Sequence, residues 1–320
     1  IGPVAVFGAS NFPFAFSTLG GDTASALAAG NPVIVKGHPS HPATSELFAH
    51  AIVKAAEKCG VPAGVFSLLQ GVGNELGTEL VKNPVIQAVG FTGSERGGRA
   101  LMDIAAARPQ PIPVFAEMGS INPLFVGPNT LQAQAESIAT GLSGSVCMGT
   151  GQFCTSPGIV VSVASELFET TLKTKLSEAP RGYLLNPQIA ASLQAGLENL
   201  DKHPQLEWLN RADFEAGSMT PPNAVFKTSA EVFLADKTLS EEVFGPVTLY
   251  VECENEAQII QVAENLNGNL TASVHADEDM KLAKKLFNVL EQKVGRVIYN
   301  SYPTGVEVCP SQQHGGPYPA

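Results

Sequence analysis

The chain has 320 residues, 44% of them hydrophobic, a mean hydropathy of +0.10, a net charge of −11 and a pI near 5.0. That length suits about two domains, because single cores seldom grow past roughly 250 residues. The acidic balance argues against a nucleic-acid partner, which needs a basic surface. With no apolar run of membrane-spanning length, no membrane association is expected.

The opening IGPVAVFGAS is apolar but broken by Gly and Pro and lacks a basic leader, so it does not read as a signal peptide. It starts inside a strand and without Met, which suggests a fragment or a missing N-terminus. Short β-rich runs follow (PVAVFGA, NPVIVKG, GVFSLLQG, IQAVGFTG and PIPVFAEMG), separated by helical patterns. In the clearest helix, TSELFAHAIVKAAEKCG, Leu47, Ile52, Val53 and Ala56 fall at helical spacing and Gly60 marks the stop. Such alternation predicts βαβ units and a parallel sheet covered on both faces. Ligands on such sheets sit beyond the carboxyl ends of the strands.

A second alternating block carries helices near 131–147, 165–178, 188–200, 254–265 and 278–291, with strands at GIVVSV, GPVTLYVEC, LTASVHA and GRVIYN. The Pro/Gly/Ser-rich RADFEAGSMTPPNAVFKTS reads as a hairpin or loop. The cut between the two blocks lies near AEMGSINP, and ligands favour clefts between such domains.

Five cysteines (Cys59, Cys147, Cys154, Cys253, Cys309) form no CxxC pair and no metal-spaced cluster with histidine. This argues against a disulfide framework or a metal site and for a reducing, cytoplasmic setting. Cys154, in GTGQFCTSPG, is either a buried apolar filler or a nucleophile. Gly149 and Gly151 beside it let backbone approach a ligand. No histidine is near it in sequence, so a Cys–His pair requires a distant one. Glu117 ends an otherwise apolar strand, where a carboxylate is costly unless it is paired or faces a cleft; it reads as a base or as a surface or capping carboxylate. Asn11 is an oxyanion donor or an ordinary turn residue. Gly93 and Ser94, in FTGSERGG, stand at a strand-to-helix junction able to hold a phosphate. Lys36, just past a buried strand, snorkels to water or meets an anion. Glu241 and Glu242 precede an apolar turn that contains Phe244.

The order of these motifs is more specific than any one of them. Asn11 in NFP, Lys36 after VIV, FTGS, Glu117 in EMG, Cys154 in GQFC and EEVFGPV resemble, in sequence, the NAD(P)-dependent aldehyde dehydrogenase superfamily. VIVKGHPSHP, PTGVEVC and HGGPYPA resemble the branch that holds 2-oxoglutarate semialdehyde dehydrogenases and an NADP-linked fatty aldehyde dehydrogenase. The resemblance implies an α/β fold of two doubly wound, Rossmann-like domains lacking N- and C-terminal segments. Residues 1–117 would bind cofactor, 118–313 would carry catalysis, and 314–320 would begin a C-terminal return segment.

It further implies Cys154 as the nucleophile, Asn11 and the Cys154 N–H as the oxyanion hole, and Glu117 as the base for thioester hydrolysis. Ser94, with Gly93, matches the pyrophosphate site, Lys36 the contact to the adenosine ribose, and Glu242 the contact to the nicotinamide ribose, with Phe244 packing nearby. Three departures stand out. Ser10 replaces an aromatic residue, which suggests a less crowded aldehyde tunnel. Ser120 and Ile121 replace Gly and Lys in the usual ELGGK, which is expected to alter packing near the base. Pro39 stands where NAD-preferring relatives carry Glu. Without that carboxylate, Lys36, His38 or Ser40 is able to contact a 2′-phosphate, so NADP is the expected cofactor, with NAD possible. The expected activity is oxidation of an aldehyde to a carboxylate, first 2-oxoglutarate semialdehyde (2,5-dioxopentanoate) and second a long-chain aliphatic aldehyde, by a homo-oligomer. More remote readings are a CoA-acylating enzyme, which Glu117 argues against, and a catalytically silent binding relative, which would have lost Cys154, Glu117 or Asn11.

Overall fold

Four-residue runs rich in valine and phenylalanine seed the first sheet, because β-branched and aromatic side chains fit a pleated surface buried on both faces. The computed structural model describes residues 2–277, 280–305 and 314–320, and the chain divides into two units, Ile1–Met118 and Gly119–Ala320. The first unit runs β1 (Val4–Phe7), α1 (Gly21–Ala28), β2 (Val33–Lys36), α2 (Pro42–Lys58), β3 (Phe66–Leu69), α3 (Glu75–Lys82), β4 (Ala88–Thr92), α4 (Glu95–Ala106) and β5 (Val114–Glu117). All five strands are parallel, in the order β3-β2-β1-β4-β5. The order reverses between β1 and β4, the topological switch where such sheets open a ligand crevice. Val4, Val6, Val33 and Val35 pack on one face and Ala5, Phe7 and Val89 on the other, the two-residue period of strands covered on both sides.

The second unit runs β6 (Leu124–Val126), α5 (Pro128–Cys147), a 3₁₀ turn (Met148–Gly151), β7 (Ile159–Val163), α6 (Glu166–Glu178), α7 (Pro187–Lys202), β8 (Glu207–Trp208), β9 (Ala224–Ser229), α8 (Ala230–Ala235), β10 (Val247–Cys253), α9 (Glu256–Asn265), β11 (Asn269–His275), α10 (Lys281–Leu290) and β12 (Val294–Tyr299). Its strand order is β12-β11-β6-β7-β10-β9-β8, parallel except for β8, which is antiparallel to β9. Phe125, Val161, Phe226 and Val251 fill one face of the sheet, and Leu124, Val160, Val225 and Tyr250 the other. Helix starts follow local chemistry. Ser94, Ser165, Asn186 and Asn255 each accept a hydrogen bond from a first-turn N–H, and Pro42, Pro128 and Pro187 open their helices.

Two expectations need correction. The Pro/Gly/Ser-rich stretch hides β9, which lies between β10 and β8 in the sheet. Two asparagines tie the irregular part down: Asn210 donates to the Asn223 carbonyl and accepts the Val225 N–H, while Asn223 donates to the Ala179 carbonyl. In α2 the face turned inward is Ser45, Ala49 and Ile52, whereas Leu47 and Val53 are 71% and 42% exposed. Small residues allow that helix to approach its sheet closely. The expected helix at 278–291 is described only as Lys281–Leu290; Glu278 and Asp279 lie outside the described residues, as do residues 306–309 of PTGVEVC, Cys309 among them. Among the described residues, no helix is long and apolar enough to cross a membrane.

His275, at the end of β11, is 6% exposed, and its Nε2 has no hydrogen-bond partner among the described residues. Burial pushes its pKa down to about 4, against a weaker opposing hydrogen bond to the Ser301 backbone. Its neutral form is therefore the folded one. The stability this provides is complete above the unfolded value of about 6.5 and is lost as pH falls from there towards 4, by about 3 kcal/mol in all. His275→Phe is expected to flatten the fall in Tm between pH 6.5 and 4. His38, also held near 4 by burial, by His41 and by Lys36, accounts for part of what remains. Thermal melts across that range check it, and an unchanged slope refutes it.

Candidate functional site

In the first unit the candidate residues gather at the carboxyl edge of the sheet. Lys36 closes β2, half-buried, and desolvation lowers its pKa. Its ammonium has no carboxylate partner among the described residues. Beyond it His38 and His41 stack, with ring centres 5.5 Å apart. The Ser40 N–H donates to His38 Nδ1 at 3.2 Å, so the proton of the neutral His38 ring lies on Nε2. His41 Nε2 donates to the Ala9 carbonyl at 2.9 Å and its Nδ1 faces Ser45 Oγ at 3.3 Å, which ties the turn after β2 to the loop that holds Asn11. Pro39 is exposed. With His38 neutral at pH 7, Lys36 is the cation at this end of β2, and His38 offers an N–H donor in place of a charge.

Gly93 and Ser94 join β4 to α4. Ser94 Oγ accepts the Gly97 N–H at 3.3 Å, and the Gly93 N–H donates to the Glu117 carbonyl at 3.0 Å. The Gly93 N–H is thus engaged, and the amides left without an intrahelical acceptor at this junction are those that open α4, apart from Gly97, which Ser94 caps. Gly98 makes room for Met118: a Cβ there would stand 2.5 Å from its sulfur. Glu117 ends β5, at the edge of the sheet, half-exposed. Asp22, whose carboxyl tip lies over Gly90, is raised in pKa by desolvation first and then by the charge of Glu117.

In the second unit the candidates lie at the amino edge of the sheet, before β6, β7, β10 and β11. The carboxyl-end rule expected from the sequence does not hold here. Helix α5 ends at Cys147, and the turn Gly149–Thr150–Gly151 takes three successive positive φ angles, 56°, 59° and 65°. For the β-branched Thr150 this is a strained conformation. A Cβ on Gly151 would fall on the Gly245 carbonyl, so the turn before Cys154 packs backbone to backbone against the EEVFGP turn that carries Glu242 and Phe244. Glu242 Oε2 lies against Gly119, 2.9 Å from where a Cβ would stand. Gln152, 6% exposed, donates to the Gly149 and Tyr183 carbonyls at 3.1 Å and accepts the Leu185 N–H at 2.8 Å.

Cys154 is partly exposed, and its Sγ lies 3.8 Å from His314 Nε2. The sequence reading found no histidine beside Cys154; the fold supplies one 160 residues on. The tail beyond it is seated through glycines: a Cβ on Gly295 would strike the Gly315 carbonyl, and one on Gly316 the Asn269 carbonyl. HGGPYPA thus runs against the amino ends of β11 and β12 and presents His314 to the thiol. By contrast, burial pushes the thiols of Cys147 and Cys253 up to about 11 and about 12. Both are inert fillers at neutral pH.

A family model described as "Aldehyde dehydrogenase family" matches residues 1–317. The chain is 50% identical to alpha-ketoglutaric semialdehyde dehydrogenase 2 of Azospirillum brasilense, over 100% of this chain and 62% of that protein. It is 44% identical to the alpha-ketoglutaric semialdehyde dehydrogenase of Acinetobacter baylyi, over 100% and 61%. It therefore spans about three-fifths of the length of these curated relatives. Among solved structures, a 1-pyrroline-5-carboxylate dehydrogenase superposes with a TM-score of 0.79 at 22% identity, over 99% of this chain and 61% of that one. GapN from Methanocaldococcus jannaschii, complexed with NADP, gives 0.79 at 20% identity, over 98% and 67%. At such identities the likeness shows a shared fold.

Proposed function

The chain belongs to the aldehyde dehydrogenase family, and from that premise we propose that the protein oxidises 2-oxoglutarate semialdehyde to the dicarboxylate with NADP, accepting NAD less well. The observation that carries the substrate is the 50% identity, along the whole chain, to a relative named for that aldehyde.

Cys154 Sγ attacks the aldehyde carbon. The thiol proton passes to His314, whose Nε2 is 3.8 Å away, or to Glu117. The Asn11 amide and the Cys154 N–H donate to the oxyanion that forms. The oxidised dinucleotide, when bound, supplies the two-electron acceptor that turns a thiohemiacetal on Cys154 into a thioester. Glu117 then takes a proton from water, the resulting hydroxide attacks the thioester carbonyl, and carboxylate and thiol are released. Lys36, Ser40, the Gly93–Ser94 junction, Glu242 and Phe244 hold the dinucleotide. The fit rests on Lys36, a half-buried cation with no carboxylate partner among the described residues, followed by Pro39, which brings no charge to repel a 2′-phosphate. The assembly is a homo-oligomer working in the cytoplasm.

The test is initial-rate formation of reduced cofactor by the full-length protein, with 2-oxoglutarate semialdehyde and a long-chain aliphatic aldehyde each offered with NADP and NAD. The highest kcat/KM is expected for the semialdehyde with NADP. A higher value for the long-chain aldehyde overturns the substrate, and a higher value for NAD overturns the cofactor preference.

A further inference from the structure

Asn122 does not touch the reacting atoms, yet the Cys154 turn hangs from it. The residue is fully buried and sits at φ +45°, a left-handed conformation that Asn tolerates better than most side chains. Its Nδ2 donates to the Cys154 carbonyl at 2.9 Å and to the Ser156 carbonyl at 3.0 Å. Its Oδ1 accepts from Ser120 Oγ and Thr271 Oγ1, both at 2.9 Å. Two carbonyls on one side and two hydroxyls on the other allow a single orientation, because a flipped amide would set Oδ1 against two carbonyl oxygens.

The hydroxyls are themselves held. Ser120 Oγ accepts the Leu270 N–H at 3.0 Å and lies 3.1 Å from Asn269 Oδ1, which also accepts the Ile121 N–H at 2.8 Å. Asn269 Nδ2 donates to the Asn267 carbonyl at 3.1 Å. The start of β11 is thereby locked to the loop before β6, and Asn122 extends the lock to the cysteine turn. The same Asn269 carbonyl is the backbone against which Gly316 packs, so the tail that presents His314 rests on the same strand end. Ser120, expected only to alter packing, is a hydrogen-bonding hub that a glycine in its place would lack.

We propose that Asn122 is the positioning residue that aims Cys154, with Ser120, Asn269 and Thr271 fixing the direction of its amide. The inference rests on the reading of Cys154 as nucleophile. Asn122 anchors the carbonyls of residues 154 and 156, which fixes the backbone from which Sγ projects. A nucleophile displaced by about 1 Å loses on the order of a hundredfold in rate.

The test uses four variants of the full-length protein. Asn122→Gly keeps the backbone conformation and removes the amide. Asn122→Asp keeps the shape and turns an oxygen towards the two carbonyls. Thr271→Val removes one orienting hydroxyl, and Thr271→Ser restores it. Each is read by thermal melt, by kcat and KM, and by the rate of Cys154 alkylation by iodoacetamide from pH 6 to 10, resolved by peptide mass spectrometry. Asn122→Gly and Asn122→Asp are expected to lower kcat about 10- to 100-fold with KM within about threefold and to change the alkylation profile. Thr271→Val is expected to do so more weakly, with Thr271→Ser close to wild type. If the Asn122 variants fail to fold, the Thr271 pair carries the test. A Thr271→Val protein that melts, turns over and alkylates like wild type overturns the proposal. Cys154→Ala, run in parallel, separates the two readings: turnover that survives in it refutes the nucleophile, whereas a silent Cys154→Ala beside unaffected Asn122 and Thr271 variants refutes only the positioning role.

Discussion

Cys154→Ala is expected to reduce aldehyde oxidation by at least roughly 10⁴-fold while dinucleotide binding and Tm stay near wild type, because a group that forms the covalent bond has no substitute once removed. The structure gives reasons to choose this cysteine over its neighbours. Cys253 is in the core and Cys147 half-buried at the end of α5, and burial holds both as protonated thiols, at about 12 and about 11. Cys59 is exposed beyond the last turn of α2. Cys154 alone of these four is partly exposed with an imidazole nitrogen 3.8 Å from its sulfur, three residues beyond the left-handed turn 149–151. Cys147→Ala is therefore expected to keep wild-type turnover. The check is single-turnover formation of reduced cofactor together with mass spectrometry for an acylated Cys154 peptide. Turnover that persists in Cys154→Ala, or an acyl group found on another residue, sinks the assignment.

Much of the architecture was legible because periodic signals average over several residues. Strands such as VAVF and VIVK, and helices with Ser, Asn or Pro at their starts, stand within a few residues of where the pattern puts them. The failures share a cause. β6 and β8 are three and two residues long, too short for a period to show, and β9 follows directly on a Pro–Pro–Asn turn that dominates its window. Leu47 and Val53 fit a helical stripe but not the one used, since the sheet selects the small face of α2. Among the candidate residues, Cys154, Glu117 and Asn11 stand out only through the order of their motifs, as each alone reads equally well as turn or filler. His314 was not legible: its place depends on Gly295, Gly315 and Gly316 allowing two backbones to touch. Nor was Asn122, to which Thr271 is brought by the register of β11 beside β6 and Cys154 by the pairing of β7 with β6.

Glu117→Gln is expected to split the reaction in two. If Glu117 serves the second half alone, the first turnover proceeds, because His314 Nε2 lies within reach of the thiol proton and the oxyanion donors are untouched. The thioester then accumulates, since an amide at position 117 takes no proton from water. Stopped-flow traces should show a burst approaching one reduced cofactor per site, followed by a steady state about 10²- to 10⁴-fold slower than wild type. An added thiol or hydroxylamine, which attacks a thioester without that base, should restore turnover. Loss of the burst itself would move Glu117 to the first half as the acceptor of the Cys154 proton and leave His314 without that task. A steady state equal to wild type would remove Glu117 from the chemistry altogether. His314→Gln supplies the converse: slower alkylation of Cys154 and a slower burst, with hydrolysis of the thioester unchanged. If instead it leaves the burst intact and slows only hydrolysis, Glu117 takes the thiol proton and the imidazole serves the second half.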